Sequence, residues 1–295
     1  MLQNRWTADE LTGYAGRTAV ITGATSGVGL ATAQRLARAG AHVVLAVRDR
    51  ERGARAASRV GGSTEVRELD LGDLSSVRAF AAGFGGEIDV LVNNAGVAMV
   101  DRGRTADGFE TQFGVNHLGH FALTNLLLPQ ITRRVVTVAS GAHRAGRIHF
   151  GDLDLERSGY GRVKGYAQSK LANLLFVLEL QRRFTRTGSA VRALAAHPGY
   201  AATNLGTPGR GQLLTSLTHA AGRAFAQPPR KAALPTLFAL DQDIPGGSYV
   251  GPDGRHEMHG YPTLVGRSAA ASDPHSARRL WEVSAELTGT DFAAD

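Results

Sequence analysis

The sequence predicts a single-domain α/β fold, a doubly wound parallel sheet flanked by helices. Three observations carry this expectation. Short apolar runs of strand character alternate with helical stretches from Thr18 to Ala195. The first run enters a glycine-rich turn and then an Ala-rich helix, the order a phosphate cradle requires. Polar residues with useful chemistry fall at or just past the strand carboxyl ends, or on a helix able to line that cleft. Open parallel sheets bind their ligands there.

Length and composition agree. The 295 residues are 43% apolar and 20% charged, which suits one large globular domain with ample core. No linker, repeat or low-complexity segment divides the chain. The absence of cysteine excludes disulfides, thiolate metal sites and a Cys nucleophile. The net charge of +7 comes from scattered arginines without an aromatic-basic patch, so no nucleic-acid partner is expected. No long apolar run or apolar leader is visible, so a soluble, cytoplasmic protein without a membrane anchor is expected.

In chain order, residues 1–15 form an N-terminal extension. Within it Thr7 and Glu10 read as a capping box, with Trp6 and Leu11 at the staple positions. Thr18 to Ile21 is the first strand, and it leads into Thr22-Gly23-Ala24-Thr25-Ser26-Gly27-Val28-Gly29. The helix from Leu30 to Ala39 follows. A strand, glycine turn and helix give the Rossmann-type start, in which backbone amides and the positive helix end receive a pyrophosphate. The spacing differs from G-x-G-x-x-G, so the context carries the inference. His42 to Val47 is the second strand, whose end meets the adenosine ribose. Val47 and Arg48 stand there, with Asp49 one step later. A guanidinium at Arg48 suits a 2′-phosphate, which favours NADP(H) over NAD(H).

Thr64 to Leu69 is the third strand, followed by Asp70-Leu71 and a helix capped by Asp73 or Ser75. Ile88 to Val92 is the fourth and ends in Asn93-Asn94-Ala95-Gly96. A helix is predicted from Asp107 to Leu128, stopping at Pro129 and carrying Asn116. Val135 to Ala139 is the fifth strand and delivers Ser140. Ala190 to Ala195 is the sixth, ending in His197-Pro198-Gly199.

The chemical centre is Tyr166-Ala167-Gln168-Ser169-Lys170. The repeat Leu171, Leu174, Leu175, Leu178 places it in an amphipathic helix, and residues four apart share a face. A free phenol titrates near ~10, and a fixed ammonium beside it is expected to bring it toward useful acid–base strength. Of the 33 basic residues only Lys164, Lys170 and Lys231 are lysines, so a lysine four residues after Tyr166 stands out.

With these motifs assembled, the chain resembles the short-chain dehydrogenase/reductase family, over about residues 16 to 251. The ordered set is Thr22-Gly23-x-x-x-Gly27-x-Gly29, Asp70-Leu71, Asn93-Asn94-Ala95-Gly96, Asn116, Ser140, Tyr166-x-x-x-Lys170 and Pro198-Gly199. Val115 to Phe121, Ser140 to His143 and Ser169 to Asn173 resemble the branch of retinol-dehydrogenase-like and protochlorophyllide-reductase-like members. The resemblance implies Tyr166 as general acid/base and Ser140 as hydrogen-bond partner of the carbonyl oxygen. It implies that Lys170 lowers the phenol pKa and holds the nicotinamide ribose, and that Asn116 orders a water toward Lys170. Gly23, Ser26, Gly27 and Val28 would cradle the pyrophosphate, and Asp70 and Leu71 would contact adenine. Asn93, Ala95 and Gly96 would support the adenosine side, while Pro198, Gly199 and Thr203 would meet the nicotinamide.

Other signals carry less. His117-x-x-His120 and His256-Glu257-Met258-His259 invite a metal reading, but neither has the spacing of H-E-x-x-H, and no metal is expected. An apolar stripe after Gly206 to Gly211 makes residues 200–228 a substrate lid. Residues 252–295 read as a C-terminal tail with a helix near Ser276 to Leu287. The expected function is NADP(H)-dependent hydride transfer between nicotinamide and a small-molecule alcohol/carbonyl pair, in a chain whose homo-oligomeric state is left open. A non-catalytic nucleotide-binding or redox-sensing module is the alternative, and would call for a broken Tyr/Lys/Ser set. An epimerase or dehydratase would have different glycine spacing and a larger C-terminal substrate domain.

Overall fold

The computed structural model describes residues 5–199 and 227–292. Eight strands form one sheet: β1 (Thr18–Thr22), β2 (His42–Val47), β3 (Thr64–Glu68), β4 (Ile88–Asn93), β5 (Ile131–Val138), β6 (Arg192–Ala196), β7 (Tyr249–Pro252) and β8 (Pro262–Leu264). Their order is β3-β2-β1-β4-β5-β6-β7-β8. All neighbours run parallel except β7 and β8, which are antiparallel. Val20 pairs with Val44 of β2 on one side and Leu91 of β4 on the other. The chain therefore reverses its winding beside β1, and a crevice opens at that point.

The inner strands β1, β2 and β4 read as nearly continuous apolar runs because both faces of the sheet are covered there. Alternate residues feed two cores. Val20, Val44, Leu91 and Val135 face the layer of α3 (Leu74–Ala82), α5 (Gly119–Leu127), α6 (Arg162–Arg186) and α9 (Pro274–Thr288). Ile21, Leu45, Val92, Val136 and Leu194 face α1 (Gly27–Arg38), α2 (Arg50–Val60), α7 (Pro229–Ala232) and α8 (Leu234–Asp241). The N-terminal extension belongs to this second layer. Trp6 and Tyr14 are buried, and they bond Asp241 (3.1 Å) and the Leu240 carbonyl (2.8 Å). The Glu10 carboxylate accepts from the Thr7 N–H at 2.7 Å, as a capping box requires.

Some boundaries differ from the sequence reading. The helix expected from Asp107 begins at Thr111, because the Glu110 carboxylate accepts the free N–H groups of Gln112 and Phe113 and caps it there. α4 (Thr111–Phe113) then passes into a π-helical turn, Gly114–Leu118, before α5. β5 starts at Ile131, four residues before the expected Val135, and ends at Val138, so Ser140 stands two residues beyond it. The segment read as a tail supplies β8 and α9. The lid expected over 200–228 lies almost wholly outside the described residues.

α9 holds α6 in place from behind. Trp281 stacks on Phe176 of α6 (centroids 5.7 Å, 13° between planes) and meets Phe121 of α5 edge-on at 4.8 Å. The Arg183 guanidinium lies 4.3 Å from its ring centroid. With 2% exposure, Trp281 leaves a large void if truncated. Trp281→Ala is expected to cost about 3–5 kcal/mol. Guanidinium titration should show a lower midpoint with an unchanged slope.

Candidate active site

The glycine turn after β1 is built for close approach. Gly23 has φ +67°, and a Cβ there would lie 2.8 Å from Ala95 Cα. A Cβ on Gly29 would lie 2.4 Å from Asn94 Nδ2 and 2.7 Å from the Gly23 carbonyl oxygen. The turn is thus packed directly on the end of β4. The Thr22 hydroxyl accepts the Asn94 and Ala95 N–H groups, both at 2.9 Å. Ser26 is the exposed N-cap residue of α1, Gly27 follows with φ +58°, and Val28 is buried beneath the turn. The first turn of α1 carries no acidic residue. A strand end, a glycine turn and a helix start free of negative charge fit a dinucleotide pyrophosphate.

At the end of β2, Val47 is 3% exposed and Arg48 is exposed. Asp49 caps α2, its Oδ1 accepting the Arg52 N–H at 2.9 Å. Arg48 has no ion-pair partner among the described residues. After β3, the Asp70 carboxylate accepts the Gly72 N–H at 2.9 Å, and Leu71 is buried against Gly119. Asn93 is 1% exposed, with its amide on Thr124 (2.9 Å) and Thr137 (3.4 Å), so its side chain braces the floor of the crevice. Pro198 and Gly199 follow β6. The Pro198 carbonyl accepts from Gln227 at 3.2 Å, and the Gly199 N–H donates to His197 Nδ1 at 3.3 Å. Thr203 lies outside the described residues.

The expected catalytic residues come together. Lys170 Nζ donates to the Val138 carbonyl at 3.0 Å and lies 5.7 Å from the Tyr166 ring centroid. Tyr166 is half-buried, and the Ser140 hydroxyl is near enough its phenol to act on the phenol's pKa. A Cβ on Gly96 would lie 3.1 Å from Asn116 Oδ1 and 3.6 Å from Lys170 Nζ, so both side chains border one small space. The Asn116 amide donates to the Val97 carbonyl and the Ser169 hydroxyl, both at 2.9 Å, and its oxygen accepts the Val97 N–H at 2.8 Å. Asn116 sits in the π-helical turn, a local expansion often found at functional sites.

Sequence reasoning missed two histidines. His120 Nδ1 faces the Asn116 carbonyl at 3.1 Å, and its Nε2 is 2.9 Å from the Thr22 hydroxyl. A carbonyl only accepts, so Nδ1 carries the proton and Thr22 donates to Nε2. His143 repeats the arrangement. Nδ1 faces the Ser140 carbonyl at 2.7 Å, while Nε2 accepts the Ser268 N–H at 3.2 Å. Burial pushes the His120 pKa down to about 4 and lowers that of His143, so both are neutral near pH 7. Their positions four after Asn116 and three after Ser140 were the available local signal.

Electrostatics corrects one expectation. Burial pushes the Tyr166 phenol above its ordinary value, and the neighbouring Ser140 hydroxyl pulls it part of the way back. Burial also brings Lys170 down to about 8. Lys170 does not shift the phenol here, and Ser140 is the group that favours the phenolate.

Residues 17–212 match the family model for short chain dehydrogenases. The chain belongs to the short-chain dehydrogenase/reductase family. It is 42% identical over 294 residues to human retinol dehydrogenase 13, covering 94% of this chain and 86% of the relative. It is 43% identical over 289 residues to human retinol dehydrogenase 12, covering 93% and 87%. A crystal structure of an uncharacterized protein from Mycobacterium paratuberculosis is 52% identical, with a TM-score of 0.85 and coverage of 98% and 99%. The chain is therefore an NAD(P)(H)-binding oxidoreductase acting on a CH–OH/C=O pair, in the retinol-dehydrogenase-like branch. No helix among the described residues is long and apolar enough to cross a membrane.

The Lys170 shift makes a stability prediction. Its folded pKa of about 8 lies below the ordinary 10.5. Between those values the unfolded chain holds a proton that the folded chain lacks, so this group makes stability rise with pH through that window. Below about pH 8 the whole cost of the buried charge is present. Lys170→Met should be more stable than wild type at pH 7, by up to about 3 kcal/mol. The gap should narrow between pH 8 and 10.5 in denaturant titrations across pH.

Proposed function

We propose that this dehydrogenase uses NADP(H) to interconvert an alcohol and its carbonyl compound, with Tyr166 as the proton-transfer group. The observation that carries the reading is the convergence of Tyr166, Ser140 and Lys170 at the carboxyl end of β5. The nicotinamide, when bound, supplies or takes the hydride.

In the reducing direction the Tyr166 phenol gives its proton to the carbonyl oxygen as negative charge develops there. Ser140 donates to the same oxygen, and its backbone is held from behind by His143. The raised phenol pKa suits an acid that stays protonated until the oxygen becomes basic. Lys170, close to Asn116 around Gly96, is placed to hold ribose hydroxyls and to re-supply the phenol proton. Gly23, Ser26, Gly27 and Val28 would take the pyrophosphate at the start of α1, and Arg48 the 2′-phosphate. The names of the relatives make retinol and retinal the first pair to assay.

Tyr166→Phe keeps the ring and removes the proton. Turnover should fall at least ~10²-fold while NADPH affinity, read by fluorescence titration, stays within about twofold. Substantial activity in that variant would exclude Tyr166 as the acid. Loss of turnover on every carbonyl tested, with NADPH binding intact in wild type, would favour the nucleotide-binding module instead.

Cofactor choice rests on Arg48. A charged hydrogen bond to the 2′-phosphate is worth about 1.5–3 kcal/mol, or roughly tenfold to over a hundredfold in preference. Arg48→Ala should lower the ratio of kcat/KM for NADPH over NADH by that factor. An unchanged ratio, or a wild type that prefers NADH, would sink the assignment. Val47→Asp is a poorer test, since Val47 Cγ2 would lie 2.7 Å from a Cβ on Gly53 and a carboxylate there would be buried.

A further inference from the structure

We propose that Gln112 is a positioning residue for the substrate side of the cleft. Its buried amide fixes the segment after β4 beside the start of α6, and so sets Met99 at the approach to Tyr166. The inference rests on the proposed function. It begins from backbone strain. Met99 has φ 53°, in the left-handed region that a long side chain rarely adopts, and it is 52% exposed. Such strain persists only where the surroundings over-determine it. Gln112 is 0% exposed, and its Oε1 accepts the Met99 N–H at 2.8 Å. Its Nε2 donates to the Tyr160 hydroxyl at 2.8 Å and to the Arg162 carbonyl at 3.0 Å. The oxygen and both protons of the amide are thus engaged.

Further bonds hold the same two segments together. The Tyr160 hydroxyl donates to the Val100 carbonyl at 2.9 Å, and Arg162 Nε donates to the Asp101 carboxylate at 2.9 Å. At the other end Val97 is held by Asn116, whose amide reaches the Ser169 hydroxyl. Ser169 in turn donates to the Tyr166 carbonyl at 2.8 Å. Residues 96–101 therefore run beside α6 from the level of Lys170, which Gly96 faces, back to that of Arg162. Tyr166 lies midway between those two residues on the helix, so the segment passes it. Val163, one turn before Tyr166 on the same face, is 57% exposed and gives the approach a second apolar side chain. Gln112 has little room to move. A Cβ on Gly165 of α6 would lie 2.8 Å from its Nε2, and its own N–H is held by the Glu110 carboxylate at 2.9 Å.

The alternative role is simple glue between the two segments, and a double-mutant cycle tells them apart. Gln112→Met keeps the length of the side chain and removes its hydrogen bonds. Met99→Gly relieves the left-handed strain and removes the side chain that the amide presents. With NADPH and octanal as probes, each variant should raise the octanal KM about tenfold, the loss of one apolar contact. In Gln112→Met, kcat should stay within about threefold of wild type and the NADPH Kd within about twofold. Met99→Gly should show a Tm within about 2 °C of wild type or above it. The double variant should have a KM no more than about twofold above either single one, because Gln112 acts through Met99. Additive losses in KM overturn the proposal, as does a wild-type KM in Met99→Gly. A parallel fall in kcat and NADPH affinity in Gln112→Met overturns it too, since that is the mark of glue. Should Gln112→Met fail to fold, Tyr160→Phe must show a milder rise in KM that vanishes in the Met99→Gly background. A wild type that reduces neither octanal nor retinal overturns the proposed function first, and this proposal with it.

Discussion

The site depends on keeping one ammonium in the interior. Lys170 is 4% exposed, and an unpaired charge at that depth would cost several kcal/mol. Its bond to the Val138 carbonyl at 3.0 Å requires α6 to cross the end of β5. Asn173, one turn on, shares that carbonyl at 3.2 Å and fixes the crossing. The far side of α6 is held by Trp281 and Phe176, and Glu179, 1% exposed, binds Arg182 and Arg183. The C-terminal helix therefore serves the chemistry without reaching it.

Around this cation the chain uses neutral histidines as connectors. His120 joins Thr22 of the glycine turn to the Asn116 carbonyl, His143 joins Ser140 to Ser268, and His197 accepts the Gly199 N–H. A neutral imidazole has one donor and one acceptor on opposite sides, so it can link two loops in a fixed sense. Burial lowers the pKa of all three, which keeps further positive charge away from Lys170. The result is a cleft whose polar groups are held from behind by imidazoles that burial keeps neutral at pH 7.

Much of the fold was legible because its rules are local. The alternation of strands and helices, the glycine turn and the Tyr166/Lys170 spacing depend on neighbours a few residues apart. Asp107 to Leu128 misled because a helical pattern cannot show that Glu110, its N–H held by the distant Asp154, starts the helix at Thr111, or that Asn116 sits in a π turn. The pair His117 and His120 looked like a metal signal; His117 instead bonds Ser284 of α9 at 2.8 Å, a contact that only the packed chain creates.

The sequence by itself determined which residues stand at the strand ends, since chain order and side-chain period set that without reference to the whole. It also placed Arg48 beside Val47 and put Tyr166 and Lys170 on one helix face. Tertiary structure decided how those groups are charged and held. The raised Tyr166, the lowered Lys170 and the pairing of Glu257 with Arg144 all depend on desolvation and on segments distant in sequence. Water exclusion belongs to the packed molecule, and no short stretch of chain contains it.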